Sequence, residues 1–197
     1  MVATLDWTPA LERPDLLAAP VADALARLAD TGSGTGSGTG ATGAGDVLVA
    51  EIDPDLADTA AFCARYDVPL DISANCVVLA AKREGLRQLA ACVVLATTRA
   101  DVNGVARRSL DARKASFAPM DAAVAETGME YGGITPVGLP PAWPLLVDDV
   151  VAATDRVVVG SGVRRSKLLL PGPTVAGLPG AVVLEGLGVR ATNEATG

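Results

Sequence analysis

The chain has 197 residues, half of them hydrophobic and only 3% aromatic, which fits one domain whose core is built from Val, Leu, Ile and Ala. It contains no histidine, which excludes a Ser-His-Asp triad, a Cys-His pair and histidine metal sites, and leaves carboxylates, Lys, Tyr, hydroxyls, backbone amides or a substrate group to carry any chemistry. The net charge of −7 is uneven: residues 1–75 hold 3 Lys+Arg against 12 Asp+Glu, whereas residues 76–197 hold 13 against 11.

No apolar run reaches the roughly 20 residues that span a bilayer. The opening Met1–Asp6 has neither a basic region nor an apolar signal core, so a soluble, cytoplasmic protein without a membrane partner is expected. Residues 9–30 read as helical, with Pro20 at a first helical position and Val21, Ala24, Leu25 and Leu28 on one face. Residues 31–45 are a Gly/Ser/Thr run, read as a flexible linker that tethers an N-terminal segment (1–30) to a domain at 46–188. That segment either docks on the domain or recruits a partner. Residues 189–197 form a tail.

Within the domain, residues 46–52 read as a strand and 58–66 as a short helix, with a turn at Pro69. Residues 75–81 and 89–96 are continuous apolar runs, which fit strands buried on both faces, and the charged stretch 82–87 reads as their hairpin connection. A short helix is expected over 101–110, a strand at 115–118, and a helix from Pro119 that Gly128 terminates. After a loop at 129–141 come a strand at 143–147, a helical turn capped by Asp148-Asp149, strands at 157–159 and 168–170, a helical turn at 174–178 and a last strand at 181–184. Strands outnumber long helices and several are joined by hairpin-length connections, so the fold class is α+β with a mixed, mainly antiparallel central sheet and short helices around it.

Two loops can carry chemistry. Residues 131–138 hold three glycines and a proline, a composition that serves either a structural turn or a rigid set of N–H donors aimed at an anion or a carbonyl oxygen. Gly160-Ser161-Gly162 follows a strand, but a third glycine and helix, or a Gly-Lys-Ser/Thr sequence, are missing, so neither nucleotide fingerprint applies. Cys63, Cys76 and Cys92 match neither a CxxC pair nor a zinc knuckle and read as small buried hydrophobes. No metal site or cofactor is expected. Arg107, Arg108, Arg113 and Lys114, with Arg164, Arg165 and Lys167, form basic clusters that suit either a solvated surface or phosphate contacts.

The order of these parts resembles the YbaK family, which includes free-standing deacylases and the editing domain inserted in some prolyl-tRNA synthetases. The resemblance rests on Asp58-Thr59 before the first helix, Ala112-Arg113-Lys114, Thr127-Gly128, then Gly132-Gly133-Ile134-Thr135-Pro136-Val137-Gly138, the strand ending at Asp148, and Gly160-Ser161-Gly162. It implies hydrolysis, in trans, of the ester that joins a wrong amino acid to the 3′ end of a tRNA, with a tRNA synthetase as a further partner. It also implies that Gly133, Ser161 and Gly162 act in catalysis through backbone donors and a positioned water. Cys76, Gly132, Ile134, Thr135, Pro136, Gly138, Asp148 and Gly160 would hold the aminoacyl group and terminal adenosine. Arg107, Arg108, Arg113, Lys114, Arg164 and Arg165 would contact phosphates. One position departs from the family: where members carry a lysine at the start of the first buried strand, this chain has Cys76. The alternative is a non-catalytic module that binds tRNA or a small molecule.

Overall fold

The computed structural model describes residues 5–32 and 44–190. Most of the run expected as a linker (33–43) and of the tail (191–197) lies outside the described residues.

The N-terminal segment is not helical throughout. Strand β1 (Thr8–Pro9) leads into two 3-10 turns, Ala10–Glu12 and Pro14–Leu16, and only then into helix α1 (Ala19–Gly32). Pro9 and Pro14 lack the N–H a continuous helix needs, whereas Pro20 sits in the first turn of α1, where no intrahelical bond is lost. Val21 and Leu25 of α1 are fully buried and Ala24 and Leu28 pack against the same cluster, so the expected apolar stripe faces inward. That cluster also contains Val137, Leu145 and Leu168, so the segment is docked on the main core.

Strand β2 (Leu48–Glu51) pairs with β1 and with residues 166–169, and helix α2 (Thr59–Tyr66) follows, with the Asp58 carboxylate accepting from the N–H of Ala60. Strands β3 (Ala74–Arg83) and β4 (Leu86–Leu95) are the two apolar runs, paired antiparallel through a turn in which Glu84 and Gly85 both have positive φ. Strand β5 (Thr98–Ala100), which the sequence reading missed, precedes a π-helical turn at Val102–Ala106 and helix α3 (Arg107–Ser109). Strand β6 (Lys114–Phe117) pairs with β3, and helix α4 (Met120–Thr127) ends at Gly128 in the left-handed conformation.

Strand β7 (Leu145–Asp148) runs parallel to β4. Asp148 starts helix α5 (Asp149–Ala153), but its carboxylate does not cap that helix; Oδ1 accepts from the N–H of Gly188 at 2.8 Å instead. Strands β8 (Val157–Gly160) and β9 (Ser166–Leu170) form a hairpin, and helix α6 (Gly172–Ala176) and strands β10 (Ala181–Leu184) and β11 (Gly188–Arg190) complete the described chain. Strand β11, also missed, pairs with β5.

The result is α+β. An antiparallel sheet β1-β2-β9-β8 and a mixed sheet β10-β7-β4-β3-β6 are joined by a parallel bridge between Ser73 and Val158. That bridge brings the start of β3 beside β8 and β9, and the site forms at this junction.

Candidate functional site

A cleft of about 700 Å³ opens where the start of β3, the start of α2, the 131–134 loop, the start of α4 and strands β8 and β9 meet. Of the residues singled out from the sequence, Cys76, Gly132, Ile134 and Gly160, proposed to hold the substrate, and Arg164, proposed as a phosphate contact, line it. Asp58, Thr59, Asn75 and Lys167 line it too, and were not among the proposed site residues.

Lys167 is the main addition. It lies on β9, is only 7% exposed, and donates from Nζ to the carbonyl oxygen of Ala57 at 2.8 Å. The ammonium also sits 5.2 Å from the centre of the Phe62 ring. Burial pushes its pKa down to about 8, although Cys63 and Asp58 pull upward; Arg164 pushes it down further. Among the described residues it has no ion pair. A buried cation is ordinarily neutralised by a partner acid or by losing its proton, so a lysine bonded only to one carbonyl and lining a cleft is suited to an electron-rich ligand. A lysine therefore does share the cleft with Cys76, although it comes from a different strand and a different sheet.

The other polar groups are held in place. Thr59 Oγ1 donates to Asn75 Oδ1 at 2.7 Å, which fixes the amide of Asn75 and leaves its Nδ2 as a donor. Arg164 donates from Nη2 to the carbonyl of Pro54 at 2.8 Å and from Nη1 to that of Tyr131 at 3.4 Å, so its guanidinium ties two loops across the cleft. The thiol of Cys76 is half-buried; desolvation, with Cys92 adding to it, pushes its pKa far above the usual thiol range. It stays protonated at neutral pH, so it is not a nucleophile.

The two glycine loops interlock. A Cβ on Gly160 would lie 2.3 Å from the carbonyl oxygen of Gly133, and one on Gly133 would lie 2.7 Å from the backbone of Val163. The N–H of Gly162 donates to Gly133 O at 2.8 Å, and the N–H of Gly133 donates to Glu130 O at 2.9 Å. The glycines thus let two backbones touch, and the amides proposed as catalytic donors at Gly133 and Gly162 are engaged within the loops.

Several proposed site residues do not reach the cleft lining. Ser161 is fully buried, and its hydroxyl bonds Ser166 Oγ at 2.7 Å and the carbonyls of Ser166 and Val163. Ser166 in turn donates to Leu16 O, so this hydroxyl pair fastens the N-terminal segment. Gly162 and Gly138 are crowded by that same segment, against Ala18 and against the carbonyl of Pro20. Thr135 and Pro136 are buried behind the loop, with Thr135 Oγ1 unpartnered. Asp148 is buried at the end of β7, where desolvation holds its carboxyl above the ordinary range. Arg165 donates to Asp15 O, away from the lining. Arg107 bonds Asn103 O, while Arg108, Arg113 and Lys114 are exposed.

The mouth is apolar and aromatic. Phe117 and Tyr131 are each 62% exposed and Met120 56%, and all three line the cleft. With only two Phe and two Tyr in the chain, one of each stands at this opening. Among the described residues no three His, Cys, Asp or Glu gather to hold a metal, and no helix is long and apolar enough to cross a membrane.

Residues 53–176 match the family described as the aminoacyl-tRNA editing domain. The fold is similar to the crystal structure of hypothetical protein APE2540 (22% identity, TM-score 0.60, covering 68% of this chain and 85% of that one). It is also similar to a candidate trans-editing enzyme for prolyl tRNA synthetase (18% identity, TM-score 0.65, covering 85% and 96%). A scaffold protein from computational epitope grafting shares it as well (20% identity, TM-score 0.64, covering 85% and 97%). Among curated proteins none matches the chain.

Proposed function

Since the chain belongs to the aminoacyl-tRNA editing domain family, of the YbaK-like kind, we propose that it hydrolyses, in trans, the ester of a mischarged tRNA. The observation that carries this reading is Lys167: it brings a buried ammonium into the cleft that Cys76 lines, where the family's strand-borne lysine is missing. In this reading Lys167 and the Asn75 amide hold oxygen atoms of the terminal nucleotide and its ester. Phe117 and Tyr131 offer ring faces to the unpaired terminal bases, the usual means of gripping single-stranded RNA.

The reaction adds a water oxygen to the ester carbonyl carbon and breaks the bond from that carbon to the ribose oxygen. The water's proton ends on the departing ribose hydroxyl. With no histidine in the chain, a substrate group such as the α-amino group or the neighbouring hydroxyl relays that proton. The ester is already activated, so positioning and charge stabilisation of the carbonyl oxygen supply the acceleration. The products are the free amino acid and the uncharged tRNA.

A second reading is binding without cleavage. It is favoured by the engagement of the Gly133 and Gly162 amides within the loops and by the protonated thiol of Cys76. Release of amino acid from mischarged tRNAs, measured for the native chain and for Lys167→Met, separates the two. Turnover lost in the variant supports hydrolysis, whereas tRNA binding with no turnover in the native chain supports the binding module.

A further inference from the structure

Strand β3 leaves the cleft and carries its face to an exposed row of cations. Alternation along the strand puts Cys76, Val78, Ala80 and Lys82 on one face. Lys82 stands directly opposite Lys114 of β6 on one side and opposite Arg87 of β4 on the other. All three are exposed, and no ion pair among the described residues involves any of them. Like charges placed directly opposite across strands are destabilising. The nearby acids form no ion pair with them: Asp111 is paired with Arg83, Glu84 sits in the hairpin turn, and Glu126, which lines a shallow pocket with Arg87, does not reach Lys82 or Lys114 there.

This row is continuous with the cleft. Val78, in the cleft lining, is four residues from Lys82 on the same face of β3, and Ala118, just past β6 and also in the lining, is four from Lys114. At about 3.3 Å per strand residue each is a separation of roughly 13 Å. In a chain of net charge −7, three cations in register beside an aromatic-rimmed cleft fit a polyanion whose single-stranded end enters that cleft.

We propose that Lys114, Lys82 and Arg87 form the docking surface for the paired phosphate backbone of an RNA stem whose 3′ end enters the cleft. The proposal rests on the tRNA reading above and names the surface that reading lacks. Arg87 and Lys82 belong to it, and Arg165, which bonds the N-terminal segment, does not.

The test uses the full chain and its triple variant Lys82→Gln, Arg87→Gln, Lys114→Gln. Binding is measured over a salt series to an RNA hairpin with a CCA overhang and to the CCA trinucleotide, which is too short to span cleft and row. The expected result is at least tenfold weaker hairpin binding at low salt, a fall of about 2–3 in the slope of log K against log salt, and unchanged trinucleotide binding. The melting temperature should be unchanged or raised, because opposed like charges are removed. Unchanged hairpin affinity and slope would overturn the proposal. So would equal losses on both probes, no hairpin binding by the native chain, or row-dependent binding of polyglutamate in preference to the hairpin. The two readings fail separately: row-dependent hairpin binding without deacylation refutes only hydrolysis, and deacylation with row-independent binding refutes only the docking surface.

Discussion

The Lys167 ammonium donates to the carbonyl oxygen of Ala57 at 2.8 Å, joining β9 to the loop before α2 across the wall of the cleft. This bond holds a cation where the fold gains little from it. Desolvating the ammonium costs more than one neutral acceptor and the Phe62 ring return, which is why its pKa falls to about 8. Lys167→Met is therefore expected to raise stability at pH 7 by about 1–2 kcal/mol, the relieved desolvation less the lost hydrogen bond. Urea unfolding measures it. A large destabilisation would mean that Lys167 is kept for the fold.

The same lysine sets a pH dependence. Its pKa is lowered in the folded chain, to about 8 against 10.5 for a free lysine. Below about 8 it is charged in both states, and the whole cost of burying the charge is present. Between about 8 and 10.5 the unfolded chain binds more protons, so stability rises with pH across that window, by on the order of 3 kcal/mol at most. The advantage of Lys167→Met over the native chain should shrink over that interval. An advantage constant from pH 7 to 10.5 would contradict this.

Gly160→Ala is expected to cost about 2–3 kcal/mol, because the new methyl would overlap the carbonyl oxygens of Gly133 and Ile134, at 2.3 and 2.8 Å. Gly45→Ala, with nothing within 4 Å, should be close to neutral. Thermal melts of both variants compare a crowded glycine with an open one.

Leu25→Ala tests the docking of α1. Leu25 is fully buried in the cluster that also holds Val137 and Leu145, so the cavity left behind should cost about 2–5 kcal/mol. A cost below about 0.5 kcal/mol would show that α1 does not contribute to this core.

Local signals were readable from the chain. Asp58 before α2, the Glu84-Gly85 turn between two apolar runs, and Gly128 after α4 each describe a backbone event within a few residues. Strands β5 and β11 have three residues each and carry no alternation long enough to detect. The glycine loops were legible as a site, but their physical use was not. That the Gly162 amide bonds Gly133 O of the other loop, that the Gly133 amide turns back on Glu130 O, and that Ser161 turns inward to Ser166, depends on how two distant loops interlock. Lys167 was hidden for the same reason. Its approach to the Cys76 cleft follows from the bridge between Ser73 and Val158, a relation between two sheets that spacing along the chain does not encode. Phe117 and Tyr131 share a rim only because β6 and the 131 loop converge.

The proposed function has this cleft cleave an aminoacyl ester with Lys167 holding the substrate. The most direct measurement is amino acid release from a panel of mischarged tRNAs by the native chain and by Lys167→Met, with binding of the uncharged tRNA followed in parallel. The expected result is release well above buffer for at least one mischarged tRNA and a loss of about 100-fold or more in the variant, in line with removal of one well-placed electrostatic donor. Release at the buffer rate for every tRNA in the panel, or equal release by Lys167→Met, would contradict it.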